Sequence, residues 1–113
     1  MGKRNRQREK LAAPTSAYEH PEHGTLELRG ALSPATRAEY ASLAPKTRED
    51  LWQRQVEFLY ERLAVSWTVS DVATTKQKEL LARYRVASSE ERLWIRGVLR
   101  EHLAECFPDV EAP

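Results

Sequence analysis

Trp52, Val56, Leu59 and Leu63 recur at steps of four, three and four, so they share one stripe of a helix. Leu51 and Phe58 widen the stripe on one flank, Tyr60 and Ala64 on the other. Only Asp50, Arg54, Glu57 and Glu61 form a continuous polar line. So broad an apolar face exceeds what a single neighbouring helix covers. The pattern predicts a central helix over 48–64, opened by Thr47 as cap, with Glu49 and Asp50 in the first turn, where the helix dipole favours acids.

The rest of the chain supplies partners for this helix. Ser33-Pro34 is a helix start, with a hydroxyl at the N-cap and proline at the first helical position. Tyr40 and Leu43 give that short helix, 34–43, a thin apolar line, and Pro45 ends it. Thr74 with Gln77 has the spacing of a capping box and opens a helix over 75–86 that buries Leu80, Leu81 and Tyr84. Ser88 with Glu91 has the same spacing. It opens a helix over 89–106 with Ile95, Val98, Leu99, His102, Leu103 and Cys106 on one face.

Two stretches alternate instead. Leu26 and Leu28 lie between Gly24 and Gly30, and Val65, Trp67 and Val69 interleave with Ser66, Thr68 and Ser70. Residues 25–29 and 65–70 are therefore read as a minor two-stranded ribbon lying on the helices. Residues 1–24 carry charge and then Pro14, Pro21 and Gly24 with little to bury, the signature of a disordered basic arm and linker. The fold expected is all-α or mainly α: a small three- to four-helix bundle over 25–108, the arm before it and a short acidic tail, 109–113, after it.

Composition narrows the class. In 113 residues, 41% of them hydrophobic, one small core is available. The chain's net charge is +1. Lys3, Arg4, Arg6, Arg8 and Lys10 stand against Glu9, so residues 1–10 carry +4 and the remainder −3. Cys106 is the only cysteine, which rules out an internal disulfide and suits a reducing cytoplasm. No apolar run nears the ~18 residues of a membrane span. The charged start is followed by no apolar signal region, and position 6 is Arg where myristoylation requires Ser or Thr. No membrane association is expected.

The basic arm is the first candidate for function. Clustered cations on an extended segment neutralise phosphates of DNA or RNA and release counterions, although without interleaved aromatics they offer no base stacking. The alternative is a solubilising terminus. Arg92, Arg96 and Arg100 come next. Steps of four place them on one line of the last helix, and no acid lies four residues N-terminal of Arg96 or Arg100. They are read either as matched by Glu57 and Glu61 of the central helix or as a phosphate-binding ridge. The last two helices have the outline of a helix-turn-helix. Glu90 and Glu91 stand where that motif meets DNA, so a plain helical hairpin is the better reading.

Enzyme chemistry finds little material. His20, His23, His102 and Cys106 have the donor types of a tetrahedral metal site. However, the first two sit in a proline-broken loop, and the last two on an apolar face where both are ordinary packing residues. Cys106 near a helix C-terminus faces the negative end of the dipole, which disfavours a thiolate. No nucleophile elbow or phosphate loop is present. Trp94, beside the main face of its helix, and Trp67 are candidate anchors for a protein partner. The chain is expected to be a non-enzymatic binding or regulatory module, without cofactor or metal. It would associate with nucleic acid through its arm, or alternatively act as a protein–protein adaptor through an aromatic-bearing helical face.

Overall fold

The structure is a computed structural model and describes residues 14–43 and 48–113. In chain order these form β1 (Thr15–His20), β2 (Gly24–Arg29), α1 (Pro34–Ala41), α2 (Arg48–Leu63), β3 (Ala64–Val69), β4 (Val72–Thr74), α3 (Gln77–Arg85) and α4 (Ser89–Cys106). The strands make one antiparallel sheet in the order β1-β2-β3-β4. The fold is therefore α+β. The all-α or mainly α bundle with a minor ribbon, expected from the sequence, is not what the chain builds.

The expected pairing of 25–29 with 65–70 is present, with Thr25 opposite Thr68 and Leu26 opposite Trp67. A bulge after Glu27 then brings Leu28 opposite Ala64. The sheet is larger than the ribbon because two more strands flank it. β1 lies in the stretch read as linker. It is short of aliphatics, yet it alternates: Thr15, Ala17 and Glu19 are exposed, while Ser16, Tyr18 and His20 turn inward. Pro21 and Gly24 punctuate a three-residue hairpin loop rather than a linker. Gly24 has φ +88°, and a Cβ there would lie 2.0 Å from the Thr68 carbonyl oxygen. The imidazole Nδ1 of His20 accepts from the backbone N–H of Glu22 and of His23, which fixes the turn.

β4 takes the residues expected to cap the next helix. Ser70 and Asp71 both have positive φ, as a two-residue β-turn of the I′ type demands, and Thr74 pairs with Trp67. Such turns ordinarily carry Asn-Gly, so Ser-Asp gives no warning. With Thr74 in the sheet, α3 starts at Gln77 with Lys76 as N-cap and no side-chain cap. Gln77 donates instead to the Glu61 carbonyl at 3.2 Å.

The helix starts at Ser33 and Ser88 act as read, while Pro45 and Thr47 lie outside the described residues. Ser33 Oγ accepts from Thr36 N ahead of Pro34. Ser88 and Glu91 form a reciprocal capping box. Val56, Leu59 and Leu63 of α2 are buried, and Leu59 and Leu63 are fully so. They join Leu26, Leu28 and Trp67 of the sheet and Ile95, Leu99 and Leu103 of α4 in one core. The other face of the sheet is small and polar: Thr15 and Ser66 both donate to the Glu27 carboxylate.

Candidate functional site

The arm residues Lys3, Arg4, Arg6, Arg8 and Lys10 lie outside the described residues. Arg92, Arg96 and Arg100 lie within them, on α4. Helical spacing sets the three in a row, and aromatic rings and backbone oxygens hold them. Arg92 donates to the Arg85 carbonyl and lies 5.3 Å from the Tyr84 ring centroid. Arg96 lies 4.3 Å over the Trp52 ring and donates to the Pro113 oxygen at 3.3 Å. Arg100 donates to the same oxygen at 2.7 Å. Glu57 and Glu61, the acids that a charge match between helices would use, go elsewhere: Glu57 pairs with Arg85 at 2.7 Å and Glu61 with Arg62 at 3.6 Å. Among the described residues no carboxylate side chain pairs with the row. π-faces and backbone oxygens hold the guanidinium groups in place, and for Arg92 these partners, the Arg85 carbonyl and the Tyr84 ring, are neutral.

Beside the row runs a groove of about 260 Å3 between α2 and the α3–α4 hairpin, lined by Trp52, Val56, Tyr84, Ser89, Arg92 and Leu93 among others. Trp52 and Val56 reach it because the α2 stripe is broader than the core beneath it. Tyr84 is mostly buried. Burial raises its hydroxyl pKa, opposed by Arg92 and aided by Glu57, so it stays a neutral hydrogen-bonding wall. Leu93 is 62% exposed, an aliphatic side chain on the solvent side of α4 that nothing in the described fold covers. Two further spaces of mixed polar and apolar lining open beside α2, one of them toward α1 and the tail, but both border Leu43, which leads into residues 44–47, outside the described segments.

The remaining candidates are structural. His102 is fully buried. Its Nε2 donates to the Arg29 carbonyl at 2.6 Å, which leaves Nδ1 as the acceptor for the Tyr18 hydroxyl at 2.8 Å. Cys106 Sγ lies 3.8 Å from that nitrogen, behind a stronger donor. Burial raises the Tyr18 pKa, and Glu105, Cys106 and Glu101 add to it. The cluster ties β1 and β2 to α4. His20 and His23 stack on each other at 4.3 Å and both lie against Trp94, 5.8 and 5.7 Å away. Trp94 thus seals the hairpin tip, with Trp67 alongside donating to the His23 carbonyl. The two pairs of candidate metal donors from the sequence serve different contacts, and no group of three metal-ligating side chains forms among the described residues. At the start of α4, Glu91 is bound by Arg83 at 2.7 Å. It therefore braces the helical hairpin from within.

Sequence reasoning found the arginine row but looked for the aromatic anchor at Trp94 and Trp67. Those two pack at the hairpin tip, and the groove is lined instead by Trp52, Tyr84 and Leu93. Leu93 was readable as an aliphatic residue away from the apolar stripe of α4; that Trp52 and Tyr84 face one groove depends on how α2 packs. No helix among the described residues is long and apolar enough to cross a membrane. The chain matches no family model, no curated protein and no solved structure.

Proposed function

We propose that this protein is a non-enzymatic interaction module that docks a protein partner on the face formed by α2 and α4. The observation that carries the reading is the arginine row beside an aromatic groove: Arg92, at the groove, has no carboxylate partner among the described residues, and Leu93 stands exposed next to Trp52 and Tyr84. A desolvated aromatic floor with guanidinium groups at its edge is the residue make-up of interface hot spots. A non-enzymatic role is supported by the chemistry of the only buried histidine, whose two ring nitrogens are both engaged in tying sheet to helix. The single cysteine favours a cytoplasmic setting.

The test is site-specific photo-crosslinking in the cell that makes the protein, with a benzophenone side chain at position 93. A discrete adduct should form there and not at position 72, which is equally exposed but lies on the β3–β4 hairpin. Adducts at both positions alike, or at neither, refute the docking face.

A second reading rests on residues 1–10, whose net charge of +4 suits phosphate binding. In that case log K for duplex DNA falls against log[salt] with a slope of roughly −3 to −5, and deletion of residues 1–10 removes the binding. Absence of binding at ~20 mM salt, where screening is weak, sinks it.

A further inference from the structure

The tail shows what kind of chain this face accepts. Residues 107–113 read FPDVEAP. Phe107 and Pro113 are buried, Val110 and Ala112 pack against the core, and Asp109 and Glu111 point outward. Side chains of α1 and α4 hold this stretch along its length. Arg37 pairs with Asp109 at 3.4 Å, the Tyr40 hydroxyl donates to the Glu111 carbonyl, and Arg96 and Arg100 converge on the Pro113 oxygen. The molecule thus already seats one segment of alternating apolar and acidic residues, using two members of its arginine row.

Pro113 lies beside Arg96, and Arg96 covers the ring of Trp52, which is a wall of the groove. The groove therefore continues the track on which the tail lies. Arg92 stands on this stretch as Arg96 and Arg100 stand on the tail. The chain's own basic arm is an unsuitable occupant, because its +4 has the same sign as the row.

On the reading that the α2–α4 face is a docking surface, we infer that its ligand is an acidic, apolar segment of a partner protein. Its apolar side chains rest on Trp52, Val56 and Leu93, and its carboxylates meet Arg92 and the exposed edge of Arg96. The groove supplies the apolar contact, its Glu57 is already paired with Arg85, and Arg92, whose partners among the described residues are neutral, selects the sign of the ligand.

A fluorescently labelled, end-blocked peptide alternating Glu with Leu and Phe is the probe, titrated with the full chain and read by anisotropy. A matched peptide with Lys in place of Glu and a short oligothymidine are the comparisons. The Glu peptide should bind, and the Lys peptide should bind at least about ten-fold more weakly. Arg92→Glu and Leu93→Asp should each lower affinity by about ten-fold or more, in the range for truncating an interface anchor. Arg92→Lys should retain most of the binding, and Val72→Asp all of it. Both altered positions are exposed, and Leu93→Ala serves if the aspartate variant loses its circular-dichroism signature. Equal binding of the Glu and Lys peptides overturns the inference, as does unchanged binding in both the Arg92→Glu and Leu93 variants. Tighter binding of the oligothymidine in competition with the peptide also overturns it and reassigns the row to phosphates. If the peptide fails while the position-93 adduct to a partner persists, the docking face stands and the acidic class of ligand falls.

Discussion

Glu91→Gln isolates one charge at the joint between the two C-terminal helices. The Glu91 carboxylate accepts from Arg83 at 2.7 Å and from the Ser88 backbone N–H at 2.9 Å. Arg83 in turn lies 4.3 Å over the Trp67 ring, so the pair joins α3, α4 and β3. Glutamine keeps the shape, and its amide oxygen still accepts from Ser88, so the capping box survives. What is lost is the charge on the Arg83 bond. Hydrogen bonds to charged groups are worth about 1.5–3 kcal/mol against about 0.5–1.5 for neutral ones. An acid in the first helical turn adds about 0.3–1 kcal/mol. Both side chains are less than a third exposed, at 31% and 17%, so solvent screening is partial. The expected loss is about 1–2 kcal/mol at pH 7 in urea melts followed by circular dichroism. Burial raises the Glu91 pKa, but the bonds from Arg83 and Ser88 outweigh it and hold the carboxyl below its ordinary value. Its stabilisation is therefore complete above the unfolded carboxyl pKa, about 4.3, and is lost as pH falls through the lower folded value. The gap between wild type and variant should close over that acid range. A loss below about 0.5 kcal/mol at pH 7, or a gap unchanged in acid, refutes the brace.

The core gives a larger effect: Leu59 is fully buried in the middle of α2, and Leu59→Ala should cost about 2–5 kcal/mol in the same melts. Gly24→Ala forces a Cβ into the Thr68 carbonyl at a left-handed backbone position; its amide exchange protection should fall first along β1 and β2, and protection equal to wild type would contradict the hairpin. Burial, helped by Glu111, pushes the Tyr40 hydroxyl up to about 12. Ultraviolet titration should show this tyrosine ionising well after the exposed-tyrosine range near pH 10. The neutral phenol's contribution to stability is present below that range and lost as pH rises toward the folded value.

The helices were legible because their signals are local. The Ser33-Pro34 start, the Ser88–Glu91 box and the α2 stripe each lie within a few turns of chain, and each is in place. The sheet was half legible. Leu26 and Trp67 announce strands through alternation, and they do pair. β1 announces itself poorly, since its inward residues are Ser16, Tyr18 and His20, polar by composition. They are buried by partners distant in sequence: Tyr18 by His102, and His20 by Trp94. At Thr74 the capping motif competed with strand pairing, and pairing with Trp67 won. The groove was the least legible part, because it comes from the surplus width of the α2 stripe meeting Tyr84 and Leu93 across a helix–helix contact. The arginine row could be read from spacing; its partners, the rings of Trp52 and Tyr84 and the Pro113 oxygen, could not.

Amide-resolved NMR of the full chain, titrated with the Glu-bearing peptide, measures the docking face most directly. The account predicts shift changes confined to the backbone around Trp52, Val56, Tyr84, Ser89, Arg92 and Leu93 and fading into the tail at Ala112, with the outer sheet positions Ala17, Thr25 and Thr68 unmoved. Changes centred on the sheet, or spread evenly over the exposed surface, would contradict it.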